Sequence, residues 1–420
     1  MSFLFERSFR ANIPKIFLYQ FMLGFLLFLP FWVIFLQRRL GLTITQATLV
    51  DVAFWFGMTL TEIPTGAVAD TYGRKLSIAI GLVTISIASF LFAVAPGFWW
   101  MLLANFMWST GFTFDSGAGT SLLYESLKQE GQEARFTGLR GYLSASGVAS
   151  VGLAALVGGF IAERWLAGTF IIYGFIVLLG LLFVATLKEP PFEPDPDTGE
   201  RIQYLKAVRL AFSTIFRTPN LLFVILYDNV LPLSVISVAA LFIQPHAQAL
   251  GISLFWIGVV GFYLRITRMV GSLASGRVVK ALGAWRWIHI APILVVLSTL
   301  ALGLIPNWLG ILLFAVAGIA QSISQPLDES LILNYAPGPA RATILSINAL
   351  VLTFFISLFE PGLGLLADLR GMPSAFTAMA GIILIPIAAV LFLWRRTWDD
   401  RILDLPQPPP APLITEEPPR

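Results

Sequence analysis

Long apolar runs dominate the chain and recur at near-even spacing. A helix that crosses the roughly 30 Å hydrocarbon core of a bilayer needs about 20 mostly apolar residues. Twelve runs reach that length: 13–36, 44–67, 75–95, 98–124, 136–160, 166–187, 220–244, 252–275, 285–305, 308–332, 342–366 and 373–394. Several hold a proline inside (Pro30, Pro64, Pro232, Pro326, Pro361). Membrane helices tolerate this where neighbours re-satisfy the freed backbone groups. The first run is too long for a signal peptide and lacks a small-residue cleavage site, so it reads as a retained span. The pattern predicts an all-α integral membrane protein with twelve transmembrane helices.

The polar residues between the runs set the topology. An even number of spans puts both termini on one side. With the termini in the cytoplasm, the inner connections hold 21 Lys and Arg and the outer ones hold 4 (Arg38, Arg39, Arg164, Arg370), while Arg265 and Arg268 fall within a span. Basic residues concentrate on the cytoplasmic side of membrane proteins. The expectation is therefore a multi-pass protein of an inner or plasma membrane with cytoplasmic N- and C-termini.

The longest connection, about 188–219, opens with KEPPFEPDPDTGE and continues as RIQYLKAVRLAFSTIFRTPN. In the second part Ile202, Leu205, Val208, Phe212 and Phe216 keep helical spacing, the mark of a helix lying on the inner membrane surface. It divides the chain into an N-terminal six-helix bundle (1–187), a cytoplasmic linker with an amphipathic helix (188–219), a C-terminal six-helix bundle (220–394) and a Pro-rich cytoplasmic tail (395–420).

Composition narrows the function. The chain is 57% hydrophobic and 12% charged, with a mean hydropathy of +0.81, against about 25% charged for a soluble domain. The absence of cysteine removes disulfides and thiolate chemistry. A net charge of +3 gives no electrostatic footprint for nucleic acid. His246 and His289 have no metal-ligand neighbours at useful spacing, so no metal site is expected. No Gly-rich phosphate loop ending in Gly-Lys-Ser/Thr occurs, which excludes nucleotide-driven pumping by this chain.

An internal repeat runs at half the chain length. Gly66, Asp70 and Gly73 share their spacing with Gly276, Lys280 and Gly283. Ala134-Arg135-Phe136-Thr137 matches Ala340-Arg341-Ala342-Thr343, and Gly159-Phe160-Ile161-Ala162-Glu163 matches Gly364-Leu365-Leu366-Ala367-Asp368. The offsets are 210, 206 and 205, and each match falls at an equivalent span end. Two halves related by a repeat mark secondary transporters, with the substrate site between them near the midplane.

The segment Gly66-Ala67-Val68-Ala69-Asp70-Thr71-Tyr72-Gly73-Arg74-Lys75 resembles the signature that the major facilitator superfamily carries between spans two and three. With the twelve spans, the central linker and the weaker copy at 276–286, the resemblance covers about 13–394 and points to the drug and metabolite exporter-like branch. It implies two pseudo-symmetric six-helix bundles. Spans one, four, seven and ten would line the cavity, and two, five, eight and eleven would form the contact between halves. It also implies a conformational latch at Gly66, Asp70, Gly73, Arg74 and Lys75, with Glu62 nearby. In physical terms, Gly66 and Gly73 permit close helix approach and a tight turn, and Asp70 suits the positive end of a neighbouring helix. Two departures leave the coupling mechanism open. Met107 stands about where proton-coupled exporters carry an Arg in span four, and span five reads Ala154-Ala155-Leu156-Val157-Gly158-Gly159 instead of Gly-Pro-x-x-Gly-Gly.

Ionisable residues inside spans cost at least about 2.5–3.5 kcal/mol each and mark cavities or pairs. They are Asp51 and Glu62, Asp115, Asp228, Arg265 and Arg268, Asp328 and Glu329, and Glu360. None lies well inside spans three, six, nine or twelve, the helices that the resemblance puts against lipid. Asp115 is the sharpest candidate for binding a proton or a cationic substrate, with a structural pair to Arg265 or Arg268 as its alternative. Those two arginines share a helix face and suit an anionic group or a carboxylate across the interface. Asp228, Gln20, Gln321 and Gln325 make candidate polar lining, and Glu360, before Pro361, a candidate coupling site. Asp328 and Glu329 are expected to be solvated near the inner mouth. Phe21, Phe25, Phe112, Phe114 and Tyr227 would make the cavity aromatic.

The expected function is secondary transport of a small, amphipathic solute by alternating access, as proton-coupled efflux. The expected partners are the solute and the bilayer, with an ion gradient in place of a cofactor and a monomer sufficient for the pathway. Facilitated uptake of a metabolite or a lipid flippase is the alternative. An intramembrane enzyme, suggested only by Ser144-Ala145-Ser146-Gly147, lacks a histidine base near those serines in the sequence.

Overall fold

The computed structural model describes residues 8–191, 201–305, 307–336 and 341–398. Part of the linker and residues 399–420 of the expected tail lie outside that range. All regular structure among the described residues is helical.

Helices α1 (Phe9–Leu23) and α2 (Trp32–Leu40) make the first pass, followed by α3 (Ile44–Tyr72), α4 (Arg74–Val94), α5 (Phe98–Gln129), α6 (Phe136–Arg164) and α7 (Gly168–Ala185). Helix α8 (Arg201–Arg217) lies in the linker. The seventh pass is α9 (Pro219–Val230), α10 (Pro232–Ser237), a π-turn over Val238–Phe242, and α11 (Ile243–Ala249). Then come α12 (Leu254–Leu282), α13 (Ala284–Leu304), α14 (Trp308–Leu313) with α15 (Ala315–Tyr335), α16 (Arg341–Arg370) and α17 (Met372–Trp394). Among the described residues, nine of these passes are long and apolar enough to cross a membrane. The remaining three predicted spans are occupied by α1–α2, α3 and α5. Twelve passes are consistent with this arrangement. The first is broken, and polar residues such as Asp51 and Glu62 in α3 and Asn105 and Asp115 in α5 dilute the other two.

Local chemistry sets the ends. Thr43 and Gln46 form a reciprocal capping box at the start of α3 (3.0 and 3.2 Å), which satisfies two otherwise orphaned amides. Gly73 and Gly283, equivalent in the repeat, both take positive φ (98° and 84°) and turn α3 into α4 and α12 into α13. A side chain there would be strained.

The bundles pack around aromatic clusters. In the N-terminal half Phe28 stacks on Phe170, with ring centroids 4.5 Å apart. In the C-terminal half Trp285 stacks on Trp398, and Trp394 packs edge-to-face against both. The halves meet through α6 against α12, α3 against α16, and α2 against α11. Helix α8 buries Ala211 and Ile215 and leaves Phe212 and Phe216 exposed; the side chains of Ile202, Leu205 and Val208 lie outside the described residues.

Candidate functional site

"Inner" here means the side of the basic connections. The two halves touch at their outer ends. Gly159 and Gly258, on α6 and α12, bring those backbones together: a Cβ on Gly159 would lie 3.0 Å from the Phe255 carbonyl oxygen, and one on Gly258 would strike the Ala155 carbonyl. On the opposite flank a Cβ on Gly364 of α16 would lie 2.9 Å from Thr45 Cα and Thr48 Oγ1 of α3.

Each flank is also fastened by a carboxylate on the first turn of the opposing helix. The Phe255 amide donates to Glu163 Oε1 (2.9 Å). The Ile44 and Thr45 amides donate to Asp368 (2.9 and 2.8 Å), and Thr45 Oγ1 donates to it as well (2.6 Å). The first amides of a helix have no partner within it and carry its positive end. Glu163 and Asp368 are the matched last residues of the third repeat, past the apolar spans 136–160 and 342–366. The Phe255 amide and the Ser253 side chain hold Glu163 below the usual carboxylate range. Burial pushes Asp368 up, but the bonds from Thr45, Ile44 and Thr43 outweigh it and hold this group low too.

A third contact joins the first and seventh passes. Pro30 lies in the break between α1 and α2, where the α-helical ladder is lost. The freed groups find side chains instead: Ser150 Oγ donates to the Phe21 carbonyl (2.5 Å), Tyr173 to Leu23 (2.8 Å), and Gln244 Nε2 to Leu29 (3.1 Å). Gln244 Oε1 also accepts from the Val33 amide (3.1 Å), and Trp32 Nε1 donates to the Ala240 carbonyl (3.0 Å). Gln244 is thus a clamp between halves, and nothing in the sequence set it apart.

The inner halves of the same helices are apart. A Cβ on Gly66, Gly138, Gly141, Gly147 or Gly276 would meet no atom within 4 Å. Leu60 and Ile63 on α3 and Phe354 on α16 are exposed. Residues expected to form a latch do not reach across among the described residues. Asp70 and Glu62 are exposed. Arg74 pairs with Glu125, and Lys75 Nζ donates to the Ala185 and Leu187 carbonyls (2.7 and 3.0 Å), all within the N-terminal half. The carboxylate that caps α4 is Glu189 of the linker, which accepts from the Arg74 and Lys75 amides (2.8 and 2.9 Å). Gly73 makes the turn as expected, whereas Gly66 has no close neighbour in this state.

Two polar clusters lie between these ends. In the N-terminal half Asp115, Tyr19 and Gln20 gather around Gly119, where a Cβ would lie 2.6 Å from Gln20 Nε2 and 2.7 Å from the Tyr19 hydroxyl. Gln20 Nε2 donates to that hydroxyl (3.3 Å), and Asp115 is only 8% exposed. Arg140 of α6 is the cation acting on Asp115; neither Arg265 nor Arg268 pairs with it among the described residues. In the C-terminal half Asn348 Nδ2 donates to Asp228 (2.7 Å), and Asn229 Nδ2 donates to Asn348 Oδ1 (2.7 Å). Arg268 Nη2 donates to Gln321 Oε1 (3.1 Å). These groups, with Gln325 and Glu329, line a cavity of about 320 Å³. Arg265 and Arg268 also border a smaller cavity of about 70 Å³ beside Leu29, Pro30 and Gln244. Asn348 carries no charge and so gave no signal in the sequence.

Two expectations are corrected. Asp328 is not solvated: it is 2% exposed and turned into the C-terminal bundle beside Tyr227, while Glu329 is exposed as expected. Tyr227 does not line a cavity; it is fully buried and donates to the Ile288 carbonyl (3.1 Å). Glu360, the candidate coupling residue, lies beside Asp51 of α3. Among the described residues no group of His, Cys, Asp and Glu could hold a metal ion.

The Major Facilitator Superfamily model matches residues 16–359. The chain therefore belongs to that family and is a multi-pass membrane protein. It is similar to the quinolone resistance protein NorA of Staphylococcus aureus (strain MRSA252), 26% identical over 204 residues, or 49% of this chain and 51% of NorA. It is also similar to Protein ZINC INDUCED FACILITATOR 1 of Arabidopsis thaliana, 31% identical over 117 residues, or 28% of this chain and 23% of that protein. The chain spans about half the length of NorA, the curated relative with the longer match. Among solved structures, the nucleoside transporter NupG superposes with a TM-score of 0.75 at 15% identity, covering 91% of this chain and 98% of that one. A D-xylose–proton symporter does so at 0.71 and 14% identity, covering 93% and 98%. Likeness at this identity shows the fold.

Proposed function

We propose that the protein is a secondary active transporter that exports a small amphipathic solute from the cytoplasm in exchange for protons. The observation that carries this reading is the asymmetry of the interface: Glu163, Asp368 and Gln244 hold the outer ends together while the inner halves stand apart. An access path open on one side only is what alternating access requires, with the halves rocking about a site near the midplane. Two clusters suit the site. Asp115 with Tyr19 and Gln20 offers a buried carboxyl to a proton or a cation. Asp228, Asn348, Arg268 and Gln321 offer donors and acceptors to a solute's polar end. The similarity to NorA, named for quinolone resistance, favours export over uptake. The basic inner connections support an inner or plasma membrane with cytoplasmic termini.

The test is dye efflux from pump-deficient bacteria expressing the protein, with and without a protonophore, beside Asp115→Asn. Efflux that collapses with the gradient and with the substitution supports the reading. A correctly inserted wild type that moves no dye refutes export and brings uptake or lipid movement forward.

A further inference from the structure

One pair of ionisable groups stands apart from both clusters. Asp51, two turns into α3, and Glu360, about three turns from the end of α16, face each other across the contact between the halves, within hydrogen-bonding reach. Both lie in the outer half of the interface, on the flank that Asp368 fastens. Glu360 is 1% exposed. Among the described residues no N–H or O–H is in hydrogen-bonding geometry with either of its oxygens. Ser237 of α10 lies beside it, and Trp55 Nε1 donates to Asp51 Oδ2 (2.8 Å).

Among the described residues no cation acts on either member of the pair. Arg74 and Lys75 of α4, Glu125 and Lys128 of α5 and Arg209 and Arg217 of α8 sit at or beyond the inner ends of the helices packed against α3 and α16 and do not act on the pair. Asp115 of α5 faces Tyr19 and Arg140, and Asp228 of α9 faces Asn348 and Glu329. On α2, Arg38 acts on Glu163 and Arg39 lies over Phe35. Helix α17 has no charged residue. Two carboxylates in contact in a medium of low polarity cannot both be ionised, but one proton between them makes a short hydrogen bond of the same contact. In this structure the contact exists only because the outer faces meet.

We propose that Asp51 and Glu360 hold one shared proton when the outer side is closed, and that this pair is a proton-coupling site of the transporter. The outer faces, once apart, expose the two carboxyls separately and release the constraint. Taking up a proton then permits closure, and losing it drives the faces apart. The inference rests on the reading of the protein as a proton-coupled transporter.

The chain has no cysteine, so Arg39→Cys and Arg370→Cys place two spin labels on the outer rim of the full-length protein in lipid nanodiscs. The pH is stepped from 5 to 8.5, a range in which Glu163 and Asp368, held low, keep their charge. The short outer distance should dominate at pH 5, and its ratio to the long one should fall at least tenfold by pH 8.5. Glu360→Gln and Asp51→Asn, whose amides supply the missing hydrogen permanently, should each stay closed within twofold across the range. If one variant does not fold, the other carries the test. A flat wild-type curve, or a folded variant that titrates like wild type, overturns the proposal. Dye transport in the same samples separates the two readings. A pair that titrates in a protein whose dye movement ignores the proton gradient sinks proton-coupled export alone. Proton-driven transport unchanged in both variants sinks the pair alone.

Discussion

Asp368 offers a direct perturbation of the outer closure. Its carboxylate accepts two amides and a hydroxyl from the first turn of α3, at 2.6–2.9 Å. That turn already has its own cap in Thr43, so Asp368 adds the part of the cap that exists only while α16 is docked. Losing an N-cap side chain costs about 0.5–2 kcal/mol. The outer rim is partly solvated, so the effect should lie near about 1–2 kcal/mol, or roughly 5–30-fold in the ratio of closed to open. Thr48, fully buried against Gly364, is a reporter: Thr48→Cys should react with a membrane-impermeant maleimide only when α3 and α16 part. In right-side-out vesicles Asp368→Ala should raise that rate roughly 5–30-fold, and Asp368→Asn, which keeps an acceptor but no charge, by less. A rate within twofold of the parent, in protein that inserts normally, would refute the idea that this carboxylate fastens the outer side. The sign with pH also follows. A carboxylate held low contributes fully above the ordinary range near pH 4 and is lost only as pH falls through its lowered value, so the Asp368 contribution should be constant from pH 5 to 8.

The other contacts make their own predictions. Gln244→Leu leaves the Val33 amide and the Leu29 carbonyl without their partner, at about 1–3 kcal/mol for each buried group left unsatisfied. It should lower the midpoint of thermal unfolding in detergent, and an unchanged midpoint would contradict the clamp. Gly258→Leu drives a side chain into the Ala155 carbonyl and should wedge the outer ends of α6 and α12 apart; spin labels across that flank should show a longer distance, and an unmoved distance would mean that the backbones do not pack there. Both Gln244 and Gly258 belong to the contact that closes the outer ends, so their effect should fall on the conformational equilibrium before it falls on solute affinity.

The sequence exposed what depends on local pattern and hid what depends on pairing. Apolar run length and the bias of Arg and Lys were enough to read the helices, and the positive φ of Gly73 and Gly283 was implicit in their repeat. Glu163 and Asp368 were visible as matched span ends, but their partners are amides 92 and 323 positions away, which periodicity cannot reveal. Asp70 drew attention through its motif, yet Glu189, from a linker with no motif, takes the helix end beside it. Asp328 looked solvated because depth was judged by distance from the span end; its helix face, which turns it toward Tyr227, decides its burial. Gln244 and Asn348 are neutral amides, and only the broken first pass and the carboxylate of Asp228 give them work.

The central claim is that an inward-open, outward-closed protein of this family converts a proton gradient into solute export. The most direct measurement uses proteoliposomes with a fluorescent amphipathic cation on both sides at equal concentration and a pH step as the only driving force. The account predicts that the dye concentrates in the more acidic compartment, that a protonophore abolishes the accumulation, and that Asp115→Asn leaves the dye at equilibrium. Dye that never moves away from equal concentration under a maintained pH step, in protein shown to be folded and inserted, would contradict it.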